Sequence, residues 1–125
     1  MDKEKLGRQR MLEVLGSEAE GILNRFQSLS PEFTKHVLEF GYGSLYTREA
    51  FPDSILELAA VACLVGQRNS GGALKAHLGG MLNLGWSRKE ITELLIFLTG
   101  FVGFPAIAEG IKMLNELEHK DLPEG

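Results

Sequence analysis

The chain has 125 residues, of which 44% are apolar and 24% charged, the balance of a folded globular protein rather than a disordered one. A formal net charge of −4, with neither sign gathered in a long block, argues against nucleic acid or an anionic bilayer as partner. The single cysteine, Cys63, excludes an intramolecular disulfide, a CxxC redox pair and a cysteine-rich zinc site.

One domain over residues 1–125 is the simplest organisation, and would bury roughly two thirds of the surface of the unfolded chain. The N-terminus, Met1-Asp2-Lys3-Glu4-Lys5, leads into no apolar segment of the secretory type. The longest apolar stretch, Leu58 to Val65, is too short to cross a bilayer. A cytoplasmic protein with no membrane partner is expected.

Helical signals follow one another along the chain. Leu6, Met11, Leu12 and Leu15 predict a first helix stopped by Gly16, and Ile22, Leu23 and Phe26 a second, short one. Ser30-Pro31-Glu32 combines a hydroxyl cap, a proline at the first helical position and a first-turn carboxylate. Phe33, Val37 and Phe40 continue that helix, and Gly41-Tyr42-Gly43 should end it. A loop with Leu45, Tyr46 and Arg48 then leads to Pro52. From Asp53 to about Val65 small and apolar residues on every side predict a helix buried all round; its length and alanines argue against a strand.

Gly66 closes that helix, and Gln67 to Gly72 form a polar hinge. A helix from about Ala73 to Leu84 carries Ala73, His77 and Met81 on one face and stops at Gly85. Ser87 and Glu90 have capping-box spacing before the stripe Ile91, Leu94, Leu95 and Leu98. Gly100, Gly103 and Pro105 separate this from a last helix ending near His119. The fold class is therefore all-α, a compact bundle of about six to seven helices. Small residues at Ala59, Ala60, Ala62, Gly79 and Gly80 allow close helix approach.

Several segments together resemble the carboxymuconolactone decarboxylase family, whose superfamily includes alkyl hydroperoxidase D-like proteins. They are Tyr46-Thr47-Arg48, Glu57 to Ala62, HLGGMLNLGWSRKEI from His77, and GFVGFPA from Gly100, with GRQRMLEVLG from Gly7 similar to the family's leader. The resemblance implies an alkyl hydroperoxidase D-like all-α fold assembled as a ring-like homo-oligomer, a trimer or a hexamer. It also implies either decarboxylation of a carboxylated muconolactone or, in the CxxC branch, thiol-dependent peroxide reduction. That branch places cysteines seven and four residues before its histidine, where this chain has Ser70 and Ala73; neither offers a thiolate.

Among candidate site residues His77 comes first, because an imidazole exchanges protons near neutral pH. The alternative is a structural histidine bonded to a backbone carbonyl. Glu57, early in a very apolar helix, is either a favourable charge near a helix N-terminus or a buried carboxylate that orients His77. An antiparallel pair of helices does not by itself guarantee that Glu57 meets His77; a longer hinge excursion and a neighbouring subunit are the other routes to that contact. Arg48 can clamp a carboxylate bidentately, or serve as a surface or intersubunit arginine. Arg68 is a weaker candidate. His36 reads as a partly buried structural residue, His119 as solvent-facing and Cys63 as a small core hydrophobe. Phe101, Phe104 and Trp86 read as packing or interface residues. With no histidine pair at ligand spacing, no metal and no cofactor are expected.

The expected function is cofactor-free decarboxylation of gamma-carboxymuconolactone or a related small anionic substrate, with His77 delivering the proton, Glu57 tuning it and Arg48 holding the carboxylate. The alternatives are a thiol-dependent peroxide-metabolism protein working through Cys63, and a non-catalytic oligomeric small-ligand-binding protein. Self-association has its own argument: Phe97, Phe101, Phe104, Trp86 and many leucines exceed what one small core absorbs.

Overall fold

A computed structural model describes the backbone of residues 2–121 and the side chains of residues 2–117; the expected exposure of His119 lies outside the described side chains. The helices are α1 (Lys3–Leu15), α2 (Ala19–Leu29), α3 (Pro31–His36), α4 (Asp53–Gly66), α5 (Gly72–Asn83), α6 (Arg88–Val102) and α7 (Phe104–Asp121). A 3₁₀ turn, Gly16–Glu18, joins α1 to α2, and a π-helix, Val37–Leu45, continues α3 without a break. The fold is all-α, as the periodicity predicts. No helix among the described residues is long and apolar enough to cross a membrane.

Local chemistry fixes most helix ends. Asp2 caps α1 by accepting from the Lys5 N–H at 2.9 Å, and Ser30 caps α3 by accepting from Phe33 at 3.1 Å, with Pro31 at the first helical position. Ser87 and Glu90 form the expected reciprocal box at the start of α6, a device that typically contributes about 1 kcal/mol. Gly16, Gly85 and Gly103 all have positive φ, the conformation that stops a helix at little steric cost to glycine alone.

Gly41 and Gly43 do not end α3. The chain instead widens there into the π-helix, closed by a bond from the Tyr46 N–H to the Gly41 carbonyl. Gly43 serves close approach rather than termination: a Cβ on it would lie 2.7 Å from the Lys3 carbonyl oxygen. On α1, a Cβ at Gly7 would lie 1.8 Å from the Leu38 carbonyl oxygen. The two helices therefore touch backbone to backbone.

Two apolar cores result. One, between α4 and α7, contains Val61, Leu74, Leu78, Ile91, Leu95 and Leu114. The other, between α1, α2 and the π-helix, contains Met11, Val14, Leu15, Ile22, Leu38 and Tyr42. The helix α5 belongs to both, giving Leu74, Leu78 and Met81 to the first and Ala76 to the second. Asn83 ties its end to α1, donating to the carbonyls of Glu13 at 2.8 Å and Val14 at 3.1 Å, two acceptors that the helix end leaves without intrahelical partners.

Three expectations are corrected. The helix α4 is not buried all round; only Glu57, Val61 and Val65 are buried, because its neighbours cover one face. Cys63 lies on the uncovered side and is exposed, so apolar neighbours in sequence did not make it a core residue. His36 is exposed rather than partly buried; the α3 residue turned inward is Thr34.

Candidate active site

The buried face of α4 carries one carboxylate. Glu57 has 0% of its surface exposed, and an unpaired charge there would be costly. Both oxygens are satisfied. Oε1 lies 2.6 Å from Nδ1 of His77 on α5, and Oε2 accepts a short hydrogen bond from the Tyr46 hydroxyl. Glu57 and His77 thus meet within one chain, without help from another subunit.

Gly80 makes this contact possible. A Cβ there would stand 2.7 Å from Glu57 Oε1 and 3.1 Å from Leu15 Cδ2. The small-residue pair Gly79-Gly80 therefore does more than let helices approach: its second member leaves room for the carboxylate. With Nδ1 engaged, Nε2 is the nitrogen of His77 left for a substrate. The ring is 19% exposed, open enough to be reached and closed enough to be held.

Tyr46 is positioned from two directions. Its ring stacks on Tyr42, four residues earlier along the π-helix, with centroids 4.7 Å apart and planes 10° from parallel. Its carbonyl accepts from Arg10 Nε at 3.0 Å, while Arg10 Nη2 lies 2.6 Å from Asp53 at the start of α4. Arg10 thereby joins α1, the end of the π-helix and α4. Burial first, and then the neighbouring Glu57 carboxylate, push both tyrosine hydroxyls well above their ordinary range. Tyr46 consequently remains a neutral donor at any ordinary pH. Trp86 locks the other side of α4, donating its indole N–H to the Ser54 carbonyl at 2.9 Å.

His77 faces a cavity of about 280 Å³ beside α2, α5 and the π-helix. Met11, Leu15, Ile22, Phe26 and Val37 make most of its wall apolar. Arg48 does not join this cavity. It is exposed and lines a separate groove with Arg10, Tyr46 and Asp53, so the structure brings together His77 and Glu57 but not Arg48. Arg68, with a positive φ of 59°, borders a third depression with Ser70 and Glu109. Among the described residues no three His, Cys, Asp or Glu side chains converge as metal ligands.

The parts that sequence spacing left unmarked are Tyr46, as the partner of Glu57, and Arg10, as the support of Tyr46. One signal was available: a carboxylate has two oxygens to satisfy, so a buried Glu57 needs a second donor besides His77. Tyr46, eleven residues before it, is an obvious source. Nothing local pointed to Arg10, whose partners lie 36 and 43 residues away.

The sequence pattern of the carboxymuconolactone decarboxylase family matches residues 31–116, from the start of α3 well into α7. The chain is also 26% identical over 119 residues to a 4-carboxymuconolactone decarboxylase of Acinetobacter baylyi, an alignment covering 94% of this chain and 87% of that one. The match takes in every residue of the Tyr46–Glu57–His77 relay and most of the core between α4 and α7, and with it the chain belongs to the carboxymuconolactone decarboxylase family.

Proposed function

We propose that this protein is a carboxy-lyase that decarboxylates gamma-carboxymuconolactone, or a related small carboxylated lactone, without a cofactor. The family supports a decarboxylase-like activity; the observation that carries the reading to a site is the buried Glu57 holding His77 at the edge of an apolar cavity. As the carbon–carbon bond to the departing carboxylate breaks, its electron pair passes into the conjugated lactone as a dienolate. Carbon dioxide leaves, and a proton from His77 Nε2 quenches the carbanionic carbon. The apolar wall favours this step, because charge localised on a carboxylate becomes charge spread over the lactone. Glu57 fixes the ring through Nδ1, and Tyr46 keeps Glu57 in place.

Direct assay of carbon dioxide release from the carboxylated lactone tests the reading. His77→Ala should lower kcat by about 10²–10⁴-fold, the usual contribution of a positioned acid or base. Glu57→Gln should reduce turnover far more in wild type than in a His77→Ala background. No release above the His77→Ala control would sink the substrate assignment, and equal losses in both backgrounds would separate Glu57 from His77.

The same reading includes a cytoplasmic homo-oligomer, a trimer or a hexamer. Its support is exposed aromatic surface at the junction of α6 and α7, where Phe101 is 77% and Phe104 79% exposed and Phe97 lies beside Phe101. Contiguous apolar surface of this kind usually marks an interface. Sedimentation at micromolar concentration should give a closed oligomer, and a monomer would refute this part.

A further inference from the structure

The cavity beside His77 has an uneven charge inventory. Its ionisable lining residues are Arg25, Tyr42 and His77, and no carboxylate lines it. Glu57 stands behind His77, without solvent contact. Tyr42 stays neutral, its hydroxyl pushed up first by burial and then by Glu57. The one fixed charge on the wall is therefore the Arg25 guanidinium of α2.

Among the described residues no carboxylate lies within ion-pairing distance of Arg25. Its guanidinium lies 5.9 Å from the centroid of the Phe26 ring. Arg25 is itself exposed, and its guanidinium rests against bare backbone: a Cβ on Gly72 would stand 2.5 Å from one terminal nitrogen and 2.7 Å from the other. A guanidinium flanked by an aromatic ring and a bare glycine, with its donors uncommitted to an acid, is suited to bidentate capture of a carboxylate.

We infer that Arg25, rather than Arg48, is the carboxylate-binding residue of this site, and that the cavity takes a small ring-bearing carboxylate with its apolar body against Met11, Ile22 and Val37. The inference rests on the reading of the His77 cavity as the reaction site, and it specifies which carboxylate is held. A cation paired with the departing carboxylate would stabilise the ground state against a transition state in which that charge moves into the ring. Such binding would slow the reaction. Arg25 therefore grips the carboxylate that stays on the molecule, equally in ground and transition states, and leaves the departing one in the apolar part of the cavity.

The probe is 2-furoate, a five-membered ring with one carboxylate, compared with uncharged furfuryl alcohol, using the full chain and following the His77 imidazole signals by NMR. Furoate should shift those signals in wild type, Arg25→Gln should weaken its binding at least ten-fold, and Arg25→Lys should restore part of the loss. Furfuryl alcohol should not distinguish wild type from Arg25→Gln. In the decarboxylase assay Arg25→Gln should raise KM about ten-fold and leave kcat within about two-fold, the signature of uniform binding. Furoate that leaves His77 unmoved, or that binds Arg25→Gln as tightly as wild type, would overturn the inference, as would a loss confined to Arg48→Gln. Arg25-dependent furoate binding in a protein that releases no carbon dioxide would instead uphold the site and remove the proposed reaction.

Discussion

The core between α4 and α7 and the core between α1, α2 and the π-helix meet on α5, but they are filled differently. The fully buried residues of the first are all non-aromatic and apolar, with Val61, Leu78, Ile91 and Leu95 at or near zero exposure. The second includes a buried tyrosine and borders the only fully buried carboxylate among the described residues. Among the described residues the burial of a carboxylate is thus confined to the seam, where Gly80 leaves space and each oxygen of Glu57 has a partner. Stability can reside in one region while the proton-handling groups occupy the boundary, because a buried charge is tolerable only where its hydrogen bonds are complete.

The sharpest way to break that division is to damage the aliphatic core alone. Leu95→Ala should cost about 2–5 kcal/mol in urea denaturation, with kcat per folded molecule nearly unchanged. A parallel collapse of kcat would show that core and seam are not separable. Tyr46→Phe is the converse experiment, since it removes one donor from a buried carboxylate. It should cost about 1.5–3 kcal/mol, the range for a hydrogen bond to a charged group, and here turnover should fall with stability. Gly80→Ala forces a methyl group against Glu57 and Leu15 and should cost about 1–3 kcal/mol as overpacking, again with reduced turnover. Gly100→Ala in α6 meets nothing within 4 Å, so the same chemical change there should be neutral or stabilising by up to about 1 kcal/mol.

The smallest effect is alkaline. Tyr42 and Tyr46 have pKa values raised in the folded protein, first by burial and then by Glu57. In the unfolded chain each titrates near its ordinary value, about 10. The stability contributed by keeping these hydroxyls neutral is therefore complete below about pH 10 and declines as pH rises further. Melting temperatures measured between pH 9 and 11, a range set around that ordinary value, should fall less steeply in Tyr42→Phe than in wild type. Equal slopes would remove Tyr42 from the account.

Most helix boundaries were legible because they rest on local chemistry. Ser30-Pro31, Ser87 with Glu90, and the stops at Gly16, Gly85 and Gly103 need only neighbouring residues to act. Two kinds of feature were not. The run Gly41-Tyr42-Gly43 has the composition of a terminator, yet Gly43 is there because α1 passes against it, and a long-range approach leaves no periodic trace. Exposure on α4 was misjudged for a related reason: apolar character on every side does not say which sides a neighbour covers, so Cys63 looked internal. At the site, Glu57 and His77 stood out by residue type, whereas Arg10, Arg25 and Tyr46 act through partners distant in sequence or through a cavity wall.

The π-helix sets the reading frame of the relay. In an α-helix each residue turns the chain by about 100°, so residues four apart are offset by about 40° around the axis. The wider π turn reduces that offset and lets Tyr42 and Tyr46 lie almost face to face. A π segment is formally an α-helix with one residue too many. A single-codon deletion within Val37–Leu45 would therefore be absorbed rather than ruinous, leaving an unbroken α-helix and an intact fold. The residues beyond it would keep their phase, whereas the same deletion in the regular turns of α3, Pro31–His36, would swing them by about one α-helical step, or about 100°, carrying the Tyr46 hydroxyl away from Glu57. A deletion scan across α3 and the π-helix thus offers what point substitutions do not: a phase-dependent readout, in which loss of one residue uncouples the tyrosine from the α-helical turns but not from the π segment.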